Sequence, residues 1–177
     1  VGDEPIFDKF DGVQVSPEMD FTDWQLNGLH LRHTELLKSA HAHYKSDVVE
    51  IDYHFDALAP AYAYSSHADG CPDWIADDRF EQHGKVKGYV KFNGKHIEFN
   101  CFTQRDHSWG TRNWGVNSHW KWVHAQVSAD LALHFWQLDA LGRRHLRGFV
   151  QKDNRIAQVV DVNIDFEIDQ SLKTKWL

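Results

Sequence analysis

The strongest constraint on this chain is an Asn-Gly pair set between two alternating runs. Residues 86–92 read VKGYVKF, residues 96–102 read HIEFNCF, and Asn93-Gly94 lies between them. Both turn residues tolerate positive φ, so the segment predicts a β-hairpin with a type I′ turn. The same period of two recurs elsewhere. Residues 48–55 (VVEIDYHF) put Val49, Ile51, Tyr53 and Phe55 on one strand face. Residues 120–127, 131–138, 145–151 and 159–168 read as further strands. Leu141-Gly142 and Lys152-Asp153-Asn154 supply turns. Residues 27–46 fit either strand alternation or a helical turn and are read as two strands. No long amphipathic helix competes with this pattern.

Many short strands joined by turns predict an all-β fold, an antiparallel β-barrel or sandwich. Residues 59–78 hold Pro60, Gly70, Pro72 and Asp77-Asp78. Such a long connection suggests a boundary, with an N-terminal β-rich half at 1–78 and a C-terminal β half at 79–177. The chain stops at Lys175-Trp176-Leu177, straight after an expected strand. A closing strand or a partner chain, such as a second copy in a homodimer, would complete it.

Composition narrows the function classes. With 42% hydrophobic and 25% charged residues the chain can bury a core. A net charge of -7 argues against nucleic acid and against docking on an anionic membrane. No apolar run is long enough to span a bilayer. Residues 1–10 are acidic and lack the apolar core of a leader. The two cysteines, Cys71 and Cys101, make no disulfide scaffold. They are expected as partly buried thiols in a reducing cytoplasm. The 13 His and 8 Trp suit a pocket for a large apolar ligand held by a few directed polar groups. They would equally fill a barrel core and line solvated strand faces.

The chemistry concentrates in residues 104–115, QRDHSWGTRNWG. The glycines and the polar run predict an irregular loop. An Asp partly buried beside Trp has its charged form disfavoured and can serve as a general acid. A neighbouring His can share the proton, and Trp faces attract a developing cation. Asp106 and His107 are the candidate catalytic pair. Arg105, Trp109, Arg112 and Trp114 are candidate substrate contacts. Arg105 and Arg112 would oppose the acid role by favouring carboxylate if either paired with Asp106. A rigid turn, capped by Asp106 and Ser108 and plugged by Trp109, uses the same residues, and the residues alone leave both readings open.

A second cluster, RFEQHG at 79–84, places Glu81 and His83 on one strand face. They could form a second acid/base pair, a polar pocket wall that contacts substrate, or a plain exposed edge. For metals, His41 and His43 share a strand face ahead of Glu50, and His119, His124 and His134 have no spacing that forces convergence. Strong zinc spacing is absent, so no metal site and no cofactor are expected. No phosphate loop appears, and Ser108 lacks a nucleophile elbow.

The string Arg105-Asp106-His107-Ser108-Trp109-Gly110, followed by Arg112 and Trp114, resembles the signature of a lipocalin-like superfamily. That superfamily includes carotenoid 1,2-hydratase (hydroxyneurosporene synthase) and kievitone-hydratase-like proteins. The hydratases carry an Asp-His-Asn-Trp-Gly version. Here Ser108 replaces the Asn, as in an uncharacterised bacterial branch. Phe55-Asp56-Ala57-Leu58 and Glu81-Gln82 also resemble that branch, so the likeness covers roughly residues 48–150. It implies two lipocalin-like halves and cofactor-free chemistry on a hydrophobic, terpenoid- or polyketide-like substrate. Asp106 would be the acid, His107 its partner and Trp109 the cation-stabilising wall of a hydratase, dehydratase or cyclase. A non-catalytic carrier of an apolar ligand and a metal-dependent β-barrel enzyme are the alternatives. A fold likeness does not fix the reaction.

Overall fold

The computed structural model describes residues 7–165, 167–170 and 174–175. Residues 1–6, where an acidic start without a leader's apolar core is expected, lie outside them, as does the chain end at Trp176-Leu177.

The Asn-Gly hairpin is the spine of the molecule. Strand β6 (Asp78–Phe92) and strand β7 (Lys95–Trp109) each run 15 residues and pair along their whole length. Asn93 and Gly94 both have positive φ, at 49° and 70°. The hairpin therefore closes as the two turn residues require. It extends a curled antiparallel sheet made of β1 (Asp23–Leu26), β2 (Leu29–Glu35), β3 (Ser39–Lys45) and β4 (Val49–Ala57), with β5 (Tyr62–Ala63) added on β6. Residues 27–46 do form two strands. β1, joined to β2 through Asn27-Gly28, escaped the reading because its four residues are too few to display a period.

The second sheet has the order β11-β10-β9-β8. Its strands are β8 (Asn117–Gln126), β9 (Leu131–Ala140), β10 (Arg143–Lys152) and β11 (Arg155–Gln158). Leu141-Gly142 and Asp153-Asn154 turn through positive φ between them. The expected strand at 159–168 is displaced. The turn at Asp153-Asn154 starts pairing at once, so β11 precedes it, and residues 159–165 form no strand. Among the described residues Glu167–Ile168 (β12) pairs only with Thr174–Lys175 (β13).

The division into halves falls elsewhere than the long connection suggested. β6 and β7 belong to the first sheet, so the chain changes sheets between Trp109 and Asn117 rather than at residue 78. The connection is a plug. Tyr62, Tyr64, Trp74, Ile75 and Ala76 are buried and pack with Trp136, Leu138, Ala140 and Phe149 of the second sheet. Its apolar residues carry no period because a plug obeys no strand geometry. Cys71 is half-buried, and burial pushes its thiol up to about 11. Cys101, by contrast, is exposed.

Candidate functional site

Strand alternation governs everything around the motif, because residues 104–109 continue β7 instead of forming a loop. Full pairing with residues 78–83 of β6 holds this stretch extended. Successive side chains therefore leave opposite faces of the sheet. Gln104 and Asp106 go one way, with Arg79, Glu81 and His83 of β6. Arg105 and His107 go the other, with Phe80 and Gln82. The pairing of Asp106 with His107 is thus not made. His107 packs its ring near Phe80 and Trp109, at 5.5 and 5.6 Å between centroids. Trp109, nearly half exposed, is on the His107 face and cannot wall Asp106.

The Asp106 face meets the second sheet through a buried polar network. Glu81 and Asp106 stand opposite one another on paired strands. Two carboxylates so placed repel, and Arg79 bridges them. Its Nε and Nη2 donate to Glu81 Oε1 at 2.8 and 2.6 Å, and Nη2 also donates to Asp106 Oδ2. The arginine holding Asp106 is therefore neither Arg105 nor Arg112. Arg112 donates instead to the Ser108 hydroxyl. Gln104 donates to the other Glu81 oxygen, and its Nε2 lies 3.0 Å from His134 Nδ1. The Tyr64 hydroxyl lies 2.7 Å from His134 Nε2 and 3.4 Å from Glu81. Glu81 and His134 are completely buried. Burial raises the Glu81 pKa, against the pull of Arg79 and Gln104. Its acceptor-only bonding is that of a carboxylate. Burial lowers His134 to about 3, aided by Arg79, so the ring is neutral.

His83 continues this layer. It stacks on His124 at 5.1 Å and touches Phe149, and neither ring nitrogen has a partner among the described residues. Burial lowers it to about 4. Glu81 and His83 do share a face, then, but inside the molecule and not along an exposed edge.

Two cavities flank these strands. The larger, about 830 Å³, fills the curl of the first sheet. Its wall is mostly aromatic and aliphatic, including Trp24, Ile51, Tyr53, Phe55, Phe80 and Phe99. Arg105 enters it. The guanidinium lies 5.3 Å from the Phe55 ring centre and 5.1 Å from that of Phe80, and Nε donates to Gln82 Oε1 at 2.9 Å. Gln82 is itself locked by bonds to the Leu37 and Ala59 carbonyls. Among the described residues no carboxylate pairs with Arg105. Burial lowers its pKa, and no neighbouring charge offsets that cost. His33 lies on the same wall, lowered first by burial and then by Arg105 and His107.

The smaller cavity, about 350 Å³, lies on the other side of β7. Trp114, Trp120, Trp122 and Trp136 line it with Ile75, Leu138, Arg79 and Asp106. Asp106 borders both cavities, but its carboxylate is turned to Arg79. Of the expected substrate contacts, Trp114 reaches this pocket and Arg112 does not.

The rest of the motif is a structural clamp. Gly110 has φ +95°, and a Cβ there would strike the Asp77 carboxyl. The Asp77 amide donates to the Trp109 carbonyl at 2.9 Å. Sequence reasoning missed Arg79, which the period-two spacing with Glu81 and His83 could have revealed. It missed Tyr64 and weighed His134 only as a metal ligand and Gln82 only within the resemblance, since their contacts span too much sequence to leave a local signal.

Among the described residues one group could gather around a metal ion, His41, Asp52 and His54, on the outer face of β3 and β4. His43 is not part of it. His124 and His134 face each other on β8 and β9, without forming such a group. No helix among the described residues is long and apolar enough to cross a membrane.

Comparison with known proteins finds no match among curated sequences and none among solved structures. One family model does match, over residues 1–176: the chain belongs to the family described as a domain of unknown function, DUF7064.

Proposed function

We propose that the chain binds a small apolar molecule with an acidic head group, held in the cavity of the curled sheet with Arg105 as its anchor. The observation that carries this reading is Arg105 itself. A half-buried guanidinium without a counter-charge is costly to maintain. Here it stands in an apolar chamber of about 830 Å³, within the range of small-molecule sites. A carboxylate at that point would accept from the guanidinium and relieve His33 of an uncompensated cation. The apolar wall would hold the body of the ligand. Terpenoid, polyketide and long-chain acids share that chemistry.

Titration with a long-chain fatty acid and with the alcohol of equal length tests this. A buried charged hydrogen bond contributes about 1.5–3 kcal/mol. The acid should bind roughly 10- to 100-fold more tightly than the alcohol. Arg105→Leu should erase the difference while leaving alcohol binding intact. Equal binding of acid and alcohol to the wild type would exclude the anchor.

A second reading is a cofactor-free lyase or isomerase that adds or removes water, or closes a ring, with Asp106 as the acid or base. It is favoured by the Asp106 carboxylate, half exposed beside four tryptophans, with Arg79 rather than His107 as its partner. Under this reading Asp106→Asn abolishes turnover of an isoprenoid alkene and leaves its binding intact. Mass spectrometry of the incubated ligand separates catalysis from carriage, and unchanged turnover in Asp106→Asn removes the role of Asp106.

A further inference from the structure

We infer that the tryptophan-lined pocket is a site for an organic cation, a quaternary or tertiary ammonium group, recognised by aromatic faces and by Asp106. The inference makes no use of Arg105, whose cavity lies across β7, although Asp106 borders both cavities. Three observations converge on it.

The first is the lining. Trp114, Trp120 and Trp122 each leave more than two-fifths of their surface exposed around a pocket of about 350 Å³. The buried Trp136 forms its floor and already carries the Arg147 guanidinium 5.9 Å from its ring centre. Indole faces attract cations more strongly than other aromatic rings do.

The second is the charge. Arg79 is the one cation of the lining, and Glu81 and Asp106 share it. One guanidinium against two carboxylates leaves the cluster net negative. Glu81 is sealed from solvent by Gln104 and Tyr64. The surplus negative charge is therefore presented by Asp106, whose side chain is 50% exposed.

The third is the free acceptor. Arg79 bonds Asp106 through Oδ2, and Oδ1 takes no hydrogen bond among the described residues. A bulky ammonium suits this place better than a metal ion. It needs a single counter-charge and apolar contact, whereas a metal needs several ligand atoms.

The test uses choline and its uncharged isostere, 3,3-dimethylbutan-1-ol, followed by tryptophan fluorescence and calorimetry on the whole chain. Choline should bind saturably at one site and at least about 10-fold more tightly than the isostere. Asp106→Asn should weaken choline by about 10-fold and leave the isostere unchanged. Trp120→Leu, at a mostly exposed position, should weaken both. Arg105→Leu should change neither, which keeps this site distinct from the acid-binding cavity. Equal binding of choline and isostere to the wild type would overturn the inference. So would the absence of saturable choline binding.

Discussion

His83 offers the sharpest test of the buried polar layer. The ring is fully buried, and neither nitrogen has a partner among the described residues. Its folded pKa is about 4 against an ordinary 6.5. A base with a depressed folded pKa binds fewer protons folded than unfolded. Its contribution is therefore fully present above pH 6.5 and is lost as the pH falls toward 4. At pH 5 the unfolded ring gains about 2 kcal/mol from protonation that the folded ring does not. His134, at about 3, adds a loss of similar size. Glu81 works with opposite sign, since its raised pKa favours folding at lower pH. His83→Phe removes one of these contributions and leaves the others. The substitution should keep the ring contacts with His124 and Phe149 and change neutral stability by no more than about 1 kcal/mol. Urea unfolding at pH 7.5 and at pH 5 measures the difference. The wild type should lose about 2 kcal/mol more than His83→Phe across that interval. Parallel losses in the two proteins would show that His83 is charged or solvated in the native state, and the argument would fail.

Removing Arg79 as Arg79→Met strands Glu81 in the interior, which should cost about 3–5 kcal/mol. The double variant Arg79→Met/Glu81→Met should recover much of that loss in a double-mutant cycle, and simple additivity would contradict the bridge. Gly110→Ala should lower the unfolding free energy by more than about 1 kcal/mol, because the left-handed backbone and the Asp77 carboxyl both resist a Cβ. A thermal melt at unchanged midpoint would refute that.

What the sequence discloses here tracks the range of the interactions. The hairpin at Asn93-Gly94 and the turn at Leu141-Gly142 are local, because Asn93, Gly94 and Gly142 accept positive φ readily and Leu141 is carried into it by the tight two-residue turn. Ile51, Tyr53 and Phe55 declare the face that lines the large cavity because one strand carries the whole pattern. The plug at residues 59–77 declares nothing, since Tyr64 finds His134 seventy residues away. The motif was misread for a related reason. Its glycine and polar residues look like a loop, yet β6 supplies a partner for each position up to Trp109. Polar side chains are tolerated in β7, which among the described residues pairs with β6 alone, because the cavities or the second sheet receive them.

That correction alters what the motif can do. In a loop, Asp106 and His107 could have converged on one substrate as acid and partner. In a strand, neighbours serve different chambers. Arg105 and His107 face the large apolar cavity, Asp106 borders both cavities with its carboxylate turned to Arg79, and Gln104 bonds into the Glu81 network. One hexapeptide therefore equips two sites of opposite charge preference, an unpaired guanidinium on one side and a surplus carboxylate on the other. A substitution at Arg105 should then affect the large chamber only, because Arg105 takes no part in lining the tryptophan pocket, whereas Asp106 borders both chambers and acts mainly where its carboxylate is turned, toward Arg79. A zwitterionic ligand would not be shared between the sites. An acid and an ammonium ion should instead bind independently, and strong coupling between their affinities would mean that the strand moves as either chamber fills.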